Sequence, residues 1–189
     1  MCIRDRYKVI QKLYPCRKTI LGDASQSVNP YGSSTAAMIQ KAFTTGEVMK
    51  LCKSYRSTFE ITSLAQKIQT NNELEPIMRH GEQPEILPFK NAEEEETTGI
   101  VNLISDFRNS GYTSLGIICK TETQAKTLAQ KLQVHTDNIS LLSSLSSAYT
   151  KGIVVTSAHM AKGLEFDEVI VPQACLLYTS PSPRDRTRS

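Results

Sequence analysis

Tyr55 and Arg56 are the residues of this chain best suited to phosphate chemistry. They open the run Tyr-Arg-Ser-Thr, which follows the apolar segment 48–51 and precedes a helical pattern. Arginine is always charged, and its planar fork binds two phosphate oxygens at once. Arg56 is therefore a candidate for stabilising the charge on a transferred phosphoryl group. The alternative interpretation is a surface arginine beside a half-buried tyrosine.

A second polar segment connects two apolar strands within residues 152–172. The strands are predicted at 153–155 and 169–171, and Pro172 closes the second one. Ligands of an open α/β sheet bind outside the carboxyl ends of its strands, where this connection begins. Gly163 permits a positive φ or a close approach to a ligand. The alternative is a polar loop that only caps a short helix. The candidate residues are Thr156, Ser157, His159, Lys162, Gly163, Glu165 and Asp167.

A third polar segment, Gly-Asp-Ala-Ser-Gln, follows the short apolar strand predicted at 19–21. An amide has both a donor and an acceptor, so Gln26 can bind a polar ligand without changing its own charge. Asp23 belongs to the same segment, for which an ordinary loop and helix cap is the alternative. Tyr31 is able to stack on a nucleic-acid base or to pack on its own loop.

Strands alternate with helices from Val48 onward, which predicts an α/β fold with a parallel sheet and helices on both faces. The sheet is predicted from Val48 to Val171, with Tyr55, Arg56 and Glu165 near its carboxyl edge. His80 is interpreted as structural or solvated. The predicted strands are 19–21, 48–51, 86–89, 115–119, 139–142, 153–155 and 169–171. The predicted helices are 7–18, ending near Pro15, 33–43, 59–68, 93–108 and 124–132, the last capped by Thr121, with a loop over most of 71–84.

The three polar segments resemble motifs III, IV and V of superfamily 1 helicases of the UvrD/Rep type. The resemblance implies a RecA-like P-loop NTPase fold. Residues 7–46 would be the end of a first RecA-like domain, and 47–174 would be an incomplete second one. The residues that carry the resemblance are 22–26, 55–58, Thr156, His159 and 161–167.

The resemblance also implies a role for each residue. Arg56 would reach the γ-phosphate of ATP and Gln26 would sense it, and both are expected to be catalytic. Tyr55 would stack on the adenine ring, and Glu165 would hydrogen-bond the ribose. Nucleotide binding is thereby assigned to Asp23, Gln26, Tyr55, Arg56, Gly163 and Glu165. Contact with nucleic acid, or its coupling to ATP, is assigned to Thr156, His159, Lys162 and Tyr31.

Other parts of such a motor are absent from the sequence. It contains no Gly-x-x-x-x-Gly-Lys-Ser/Thr loop to cradle phosphates, and no pair of acidic residues ends a strand. ATP and Mg²⁺ are therefore expected to be bound mainly by a first RecA-like domain of the same chain, which this fragment lacks, and no metal ligand is assigned within it. By itself the fragment is expected to be an inactive part of an ATP-hydrolysing enzyme.

Two features favour one subgroup of these helicases. The aromatic-Arg-Gly segment that stacks on single-stranded DNA is replaced by residues 27–32, and residues 57–156 leave no room for the accessory insertion of UvrD and Rep. Lys-Ser-Tyr-Arg-Ser-Thr, Arg-His-Gly-Glu-x-Pro and Ile-Ile-Cys-Lys-Thr are similar to HelD-type ATPases, which bind bacterial RNA polymerase. The expected function is an ATP-dependent translocase acting on RNA polymerase, DNA or both. The alternatives are a 3′–5′ DNA-unwinding repair helicase and a non-catalytic interaction domain that kept the fold.

The two ends, residues 1–6 and 175–189, resemble translated sequencing adaptor, since one DNA sequence read from opposite strands encodes both Met-Cys-Ile-Arg-Asp and Cys-Leu-Leu-Tyr-Thr-Ser. The chain has 22 basic and 19 acidic residues, and these ends carry five arginines and two aspartates. The remainder is neutral, so its charge does not indicate nucleic acid. The spacing of Cys16, Cys52 and Cys119 predicts neither disulfide nor metal site and favours a reducing cytoplasm. No apolar run could span a membrane, so no membrane partner is expected.

Overall fold

A computed structural model describes most of the chain and divides it into two compact units. The first unit comprises Met1–Pro15 and Ala37–Pro88, and the second comprises Cys16–Ala36 and Phe89–Ser189. The candidate residues Asp23, Gln26 and Tyr31 lie outside the described residues, as does the segment 175–189. The described residues are 3–22, 36–44, 46–68, 74–89, 94–144, 146 and 151–174.

A short parallel sheet lies in the first unit, where β1 pairs with β2 at Lys53↔Glu75 and Ser54↔Pro76. The rings of Tyr7 and Phe43 meet edge to face, with their centroids 6.1 Å apart. From Ala36 to Pro76 the elements are α2 (Ala36–Ala42), β1 (Lys53–Ser54), α3 (Phe59–Ile68) and β2 (Glu75–Pro76), and they are preceded by α1 (Ile3–Leu13).

The second unit contains a four-stranded sheet in which every pairing is parallel. Its strands lie in the order β4 (Ile139–Leu142), β5 (Ile153–Ser157), β3 (Leu115–Cys119) and β6 (Glu168–Ile170). The structure therefore confirms an α/β fold with parallel strands flanked by helices. None of the described helices is both long and apolar enough to cross a membrane. The elements of this unit are α4 (Glu94–Asn109), β3 (Leu115–Cys119), α5 (Glu122–His135), β4 (Ile139–Leu142), β5 (Ile153–Ser157), α6 (Ala158–Ala161) and β6 (Glu168–Ile170).

Alternation of side chains along β3 separates the two faces of this sheet. One face packs on α4 and α5 in a single core. On the other face, a Cβ atom added to Gly116 would lie 2.7 Å from Cδ2 of Phe166, so the Phe166 ring rests directly on the strand. Both long helices thus share one face, although the sequence predicts helices on both. The core residues are Ile100, Ile104, Phe107, Leu115, Ile117, Cys119, Ala125, Ala129, Leu132, Ile139, Ile153 and Val155.

The predicted cap of α5 is confirmed. Thr121 Oγ1 accepts a hydrogen bond from the Gln124 backbone N–H at 3.2 Å, and the Gln124 side chain accepts one from the Thr121 N–H at 3.1 Å. This reciprocal capping box satisfies two donors that a helix start otherwise leaves unpaired. It fixes the direction in which the chain leaves the carboxyl end of β3.

Three predicted strands are not strands in the structure, namely 19–21, 48–51 and 86–89. Leu21, Met49 and Leu51 are 86–88 % exposed, so among the described residues these apolar side chains have neither a neighbouring strand nor a covering layer. The predicted continuous sheet from Val48 to Val171 is therefore wrong. Strand formation depends on pairing and burial more than on the intrinsic preference of apolar residues, and the first strand begins at Lys53 instead.

Candidate functional site

Tyr55 and Arg56 lie in the short loop between β1 and α3 of the first unit. Tyr55 is 71 % exposed, and Arg56 is also exposed. The start of α3 fixes the exit of this loop, because Thr58 Oγ1 accepts a hydrogen bond from the Ile61 N–H at 3.4 Å. A guanidinium and an aromatic ring on adjacent residues can bind a phosphate and a base, respectively.

The connection that follows β5 carries the second group of candidate residues. Thr156 is fully buried, and its hydroxyl donates to the carbonyl oxygen of Leu142 at 2.9 Å, which fastens β5 to β4. Ser157 is the N-cap residue of α6, but its side chain makes no capping hydrogen bond. Of the residues assigned to nucleic-acid contact, His159 and Lys162 are exposed. They therefore present polar side chains on the surface of this connection, whereas Thr156 is part of the sheet interior.

The turn after α6 requires a glycine. Gly163 has a φ of +89°, and a Cβ atom added there would meet nothing within 4 Å. The cost of any other residue at this position would thus come from backbone strain rather than from a clash. Lys162 is exposed immediately before this turn, and Glu165 is exposed after it.

The strand order places a topological switch point between β3 and β5. From β3 the chain passes through α5 and crosses β5 to reach β4. From β5 it passes through α6 and crosses β3, in the opposite direction, to reach β6. These neighbouring strands end together, with Cys119 opposite Ser157. The connections that leave these two strands run in opposite directions, so a crevice forms outside their carboxyl ends. In open α/β sheets, ligands bind in such a crevice. Ser157 and α6 form one side of that position.

Asp167 anchors the far end of the connection to the opposite, amino edge of the sheet. Its Oδ2 accepts hydrogen bonds from the backbone N–H and the hydroxyl of both Thr113 and Ser114, at 2.9–3.0 Å. The backbone N–H groups of Asp167 and Glu168 also donate to the Ser114 carbonyl oxygen. These donors, led by the Thr113 N–H, lower the pKa of Asp167 from an ordinary 3.8 to about 2. Asp167 is thus a structural anchor, and the exposed Glu165 precedes it by two residues in the chain.

Asp167→Asn is expected to lower Tm by several degrees at neutral pH, because charged acceptors form stronger hydrogen bonds than neutral ones. A lowered pKa stabilises the fold above the ordinary value of 3.8 and ceases to do so as pH falls towards 2. Thermal melts at pH 7 and through that acid range measure both effects. The control is Asp106→Asn on the exposed face of α4. An Asp167→Asn melt that coincides with the wild type at pH 7 would refute the anchor.

A cavity of about 240 Å³ lies beside the carboxyl ends of β3 and β6. Gln173 closes one side, since its N–H donates to Glu96 Oε1 at 2.7 Å and its Oε1 accepts from Gln124 Nε2 at 3.1 Å. Cys119 lines the cavity, and burial raises the pKa of its thiol to about 11, so it stays protonated. None of the candidate residues within the described part of the chain lines this cavity.

The sequence did not reveal several residues that hold these segments in place. Thr113 and Ser114 fix Asp167 from 53–54 positions away, and Glu60 binds His80 from 20 positions away. Two sequence signals could have indicated these contacts: the two consecutive hydroxyl residues Thr113 and Ser114 directly before β3, and the histidine His80 in a loop. Among the described residues, no group of three or more His, Cys, Asp or Glu could hold a metal ion. Neither a protein-family model nor a curated protein matches the chain.

Proposed function

We propose that this chain is a fragment of an ATP-dependent motor ATPase of the UvrD-like type, with the end of one RecA-like domain and much of the second. HelD-type proteins are the subgroup it most resembles, which makes RNA polymerase, DNA or both its targets. The observation that supports this most is the exposed pair Tyr55 and Arg56, directly after a parallel strand and before a helix. The proposal rests on these residues and on the motif resemblance.

In the proposed reaction, Arg56 supplies positive charge to the phosphoryl group as it is transferred. Such charge stabilises the transition state because it is fixed in advance of the reaction. Tyr55 binds the base by stacking, and Glu165 accepts hydrogen bonds from the ribose. Mg²⁺ would neutralise the phosphates when bound. The described residues do not fit that ion, so the proposal assigns it to the first RecA-like domain of the full-length parent.

The connection between β5 and β6 is the proposed route from nucleotide to partner. Its exposed His159 and Lys162 can bind phosphates of a nucleic acid or acidic groups of a polymerase. Its two ends are fixed, by α6 after β5 and by the Asp167 anchor before β6. Glu165 lies in the same short connection as His159 and Lys162, and this shared segment is the proposed link between the nucleotide and the partner.

Glu165→Ala in the full-length parent is expected to raise KM for ATP while leaving kcat nearly unchanged, because a ribose contact is equally strong in the ground and transition states. Steady-state ATPase kinetics measure both constants. Glu94→Ala, a change of an exposed carboxylate in the first turn of α4, is the control. A Glu165→Ala enzyme with wild-type KM would show that Glu165 does not touch the nucleotide.

The proposal is tested by ATP hydrolysis of the full-length parent alone, with single-stranded DNA, and with RNA polymerase. We expect hydrolysis that RNA polymerase stimulates and that His159→Ala and Lys162→Ala weaken. Stimulation by DNA alone, accompanied by strand separation, would instead support the unwinding helicase. A purified, folded parent that neither binds nor hydrolyses ATP would refute the proposal and favour a non-catalytic interaction domain.

A further inference from the structure

One segment, residues 74–81, holds both ends of the loop that carries Tyr55 and Arg56. On the side before the loop, β2 lies parallel to β1, with Ser54 opposite Pro76. The Glu75 N–H donates to the Cys52 carbonyl oxygen at 2.7 Å, and Gln66 Nε2 of α3 donates to the Leu74 carbonyl oxygen at 2.7 Å. The segment therefore fixes the strand from which the loop starts.

On the side after the loop, the same segment binds the first turn of α3. The Phe59 N–H, one of the donors that a helix start leaves unpaired, donates to the Arg79 carbonyl oxygen at 2.9 Å. Glu60 binds two consecutive residues, because its Oε1 is 2.8 Å from His80 Nδ1 and its Oε2 accepts from the Gly81 N–H at 3.0 Å. The rings of Phe59 and His80 lie 5.6 Å apart between centroids.

Close packing leaves little freedom where the segment meets α3. A Cβ atom added to Gly81 would lie 2.7 Å from Cγ2 of Thr58, so only glycine lets the backbone approach this closely. The hydrogen bonds from His80 and Gly81 help to lower the pKa of Glu60 from an ordinary 4.5 to about 2. The Glu60 carboxylate is consequently ionised at neutral pH, and it accepts both bonds as a charged group.

We infer that residues 74–81 form a brace that positions Arg56, with Glu60 and His80 as positioning residues that do not themselves touch the nucleotide. This inference rests on the proposed role of Arg56. The loop has only three residues, 55–57, between β1 and Thr58, so an anchor at each end restricts the backbone from which the Arg56 side chain extends. A misplacement of about 1 Å can cost about a hundredfold in rate, even when it arises away from the reacting atoms.

The test uses the full-length parent with His80→Ala, His80→Asn and, as a control, His135→Ala at the exposed end of α5. We expect His80→Ala to lower kcat by about tenfold to a hundredfold with little change in KM. Asparagine places an amide donor close to the position of Nδ1, so His80→Asn should regain much of the lost rate. A general loss of folding would lower Tm and the fraction of active enzyme, so kcat is calculated per folded enzyme at a temperature well below Tm.

Two further measurements separate this inference from the proposed function. Hydrogen exchange at the Phe59 amide should accelerate in His80→Ala, and unchanged exchange would overturn the brace whatever the catalytic result. The double variant Arg56→Ala/His80→Ala should be no slower than Arg56→Ala, because His80 acts through Arg56. Additive losses would overturn the positioning role. A wild-type rate for Arg56→Ala with accelerated Phe59 exchange would refute the proposed function and the catalytic part of the inference, and leave a purely structural brace.

Discussion

Arg56→Ala in the full-length parent is expected to lower kcat for ATP hydrolysis by roughly a thousandfold or more, the range found for arginine fingers. The positive charge of the exposed guanidinium would stabilise the transition state more than it stabilises the ground state. Nucleotide binding should weaken far less than kcat falls, because under the proposal a phosphate-binding loop of the first RecA-like domain would provide most of the affinity. Steady-state kinetics with a separate nucleotide-binding titration measure the two effects.

Two further variants make the Arg56 experiment specific. Arg56→Lys should not recover the full rate, because an ammonium lacks the planar fork that binds two phosphate oxygens. Lys67→Ala removes an exposed positive charge from the other end of α3 and should leave kcat unchanged. If Arg56→Ala hydrolyses ATP at the wild-type rate, the assignment of the finger is wrong and Tyr-Arg-Ser-Thr has a structural role.

Gly116→Ala is expected to destabilise the second unit by about 1–3 kcal/mol, the range for overpacking a filled interior. The added methyl group would lie 2.7–2.9 Å from three carbons of the Phe166 ring. Gly116 lies within the central strand β3, paired on both sides at Val154 and Val169, so the backbone has little room to shift. The ring would have to move, and Phe166 lies next to the anchoring Asp167.

Denaturant unfolding of this chain measures the Gly116 effect. Gly111→Ala is the matched control, because a Cβ atom at Gly111 would meet nothing within 4 Å. That control should be neutral or slightly stabilising, since alanine restricts the unfolded chain. Gly116→Ala combined with Phe166→Leu should lose less stability than the two single changes added together. Equal stability of Gly116→Ala and wild type would show that Phe166 does not lie on β3.

Sequence patterns predicted the second unit better than the first. In the second unit, strands β3 and β4 have the predicted bounds. In the first unit, helix α3 has them, but the predicted strand 48–51 does not form. In β3, the apolar run Leu-Gly-Ile-Ile-Cys lies between two helical patterns, so local preference and burial agree. The Thr121 cap was predictable for the same reason, because both hydrogen bonds of the capping box join residues only three positions apart.

Features that depend on distant residues were not predictable. Residues 48–51 have the composition of a strand, but their apolar side chains are largely exposed, and the pairing begins at Lys53. Asp167 was recognised as part of the polar connection between two strands. Its partners Thr113 and Ser114 could not be recognised, because they follow α4, far back in the chain. His80 was interpreted from the sequence as structural or solvated, but its partner Glu60 could not be identified from spacing. Each of these contacts is made by the tertiary fold, which no short sequence window contains.

The most direct test of the account is the distance between Arg56 and the transferred phosphoryl group in a structure of the full-length parent. The complex to solve is the parent with Mg²⁺, ADP and a fluoride mimic of that group. We expect the Arg56 guanidinium to lie at a hydrogen-bonding distance of about 3 Å from the mimic, with the Tyr55 ring stacked on the adenine. A complex in which the nucleotide is bound and Arg56 points into solvent away from the mimic would contradict the account.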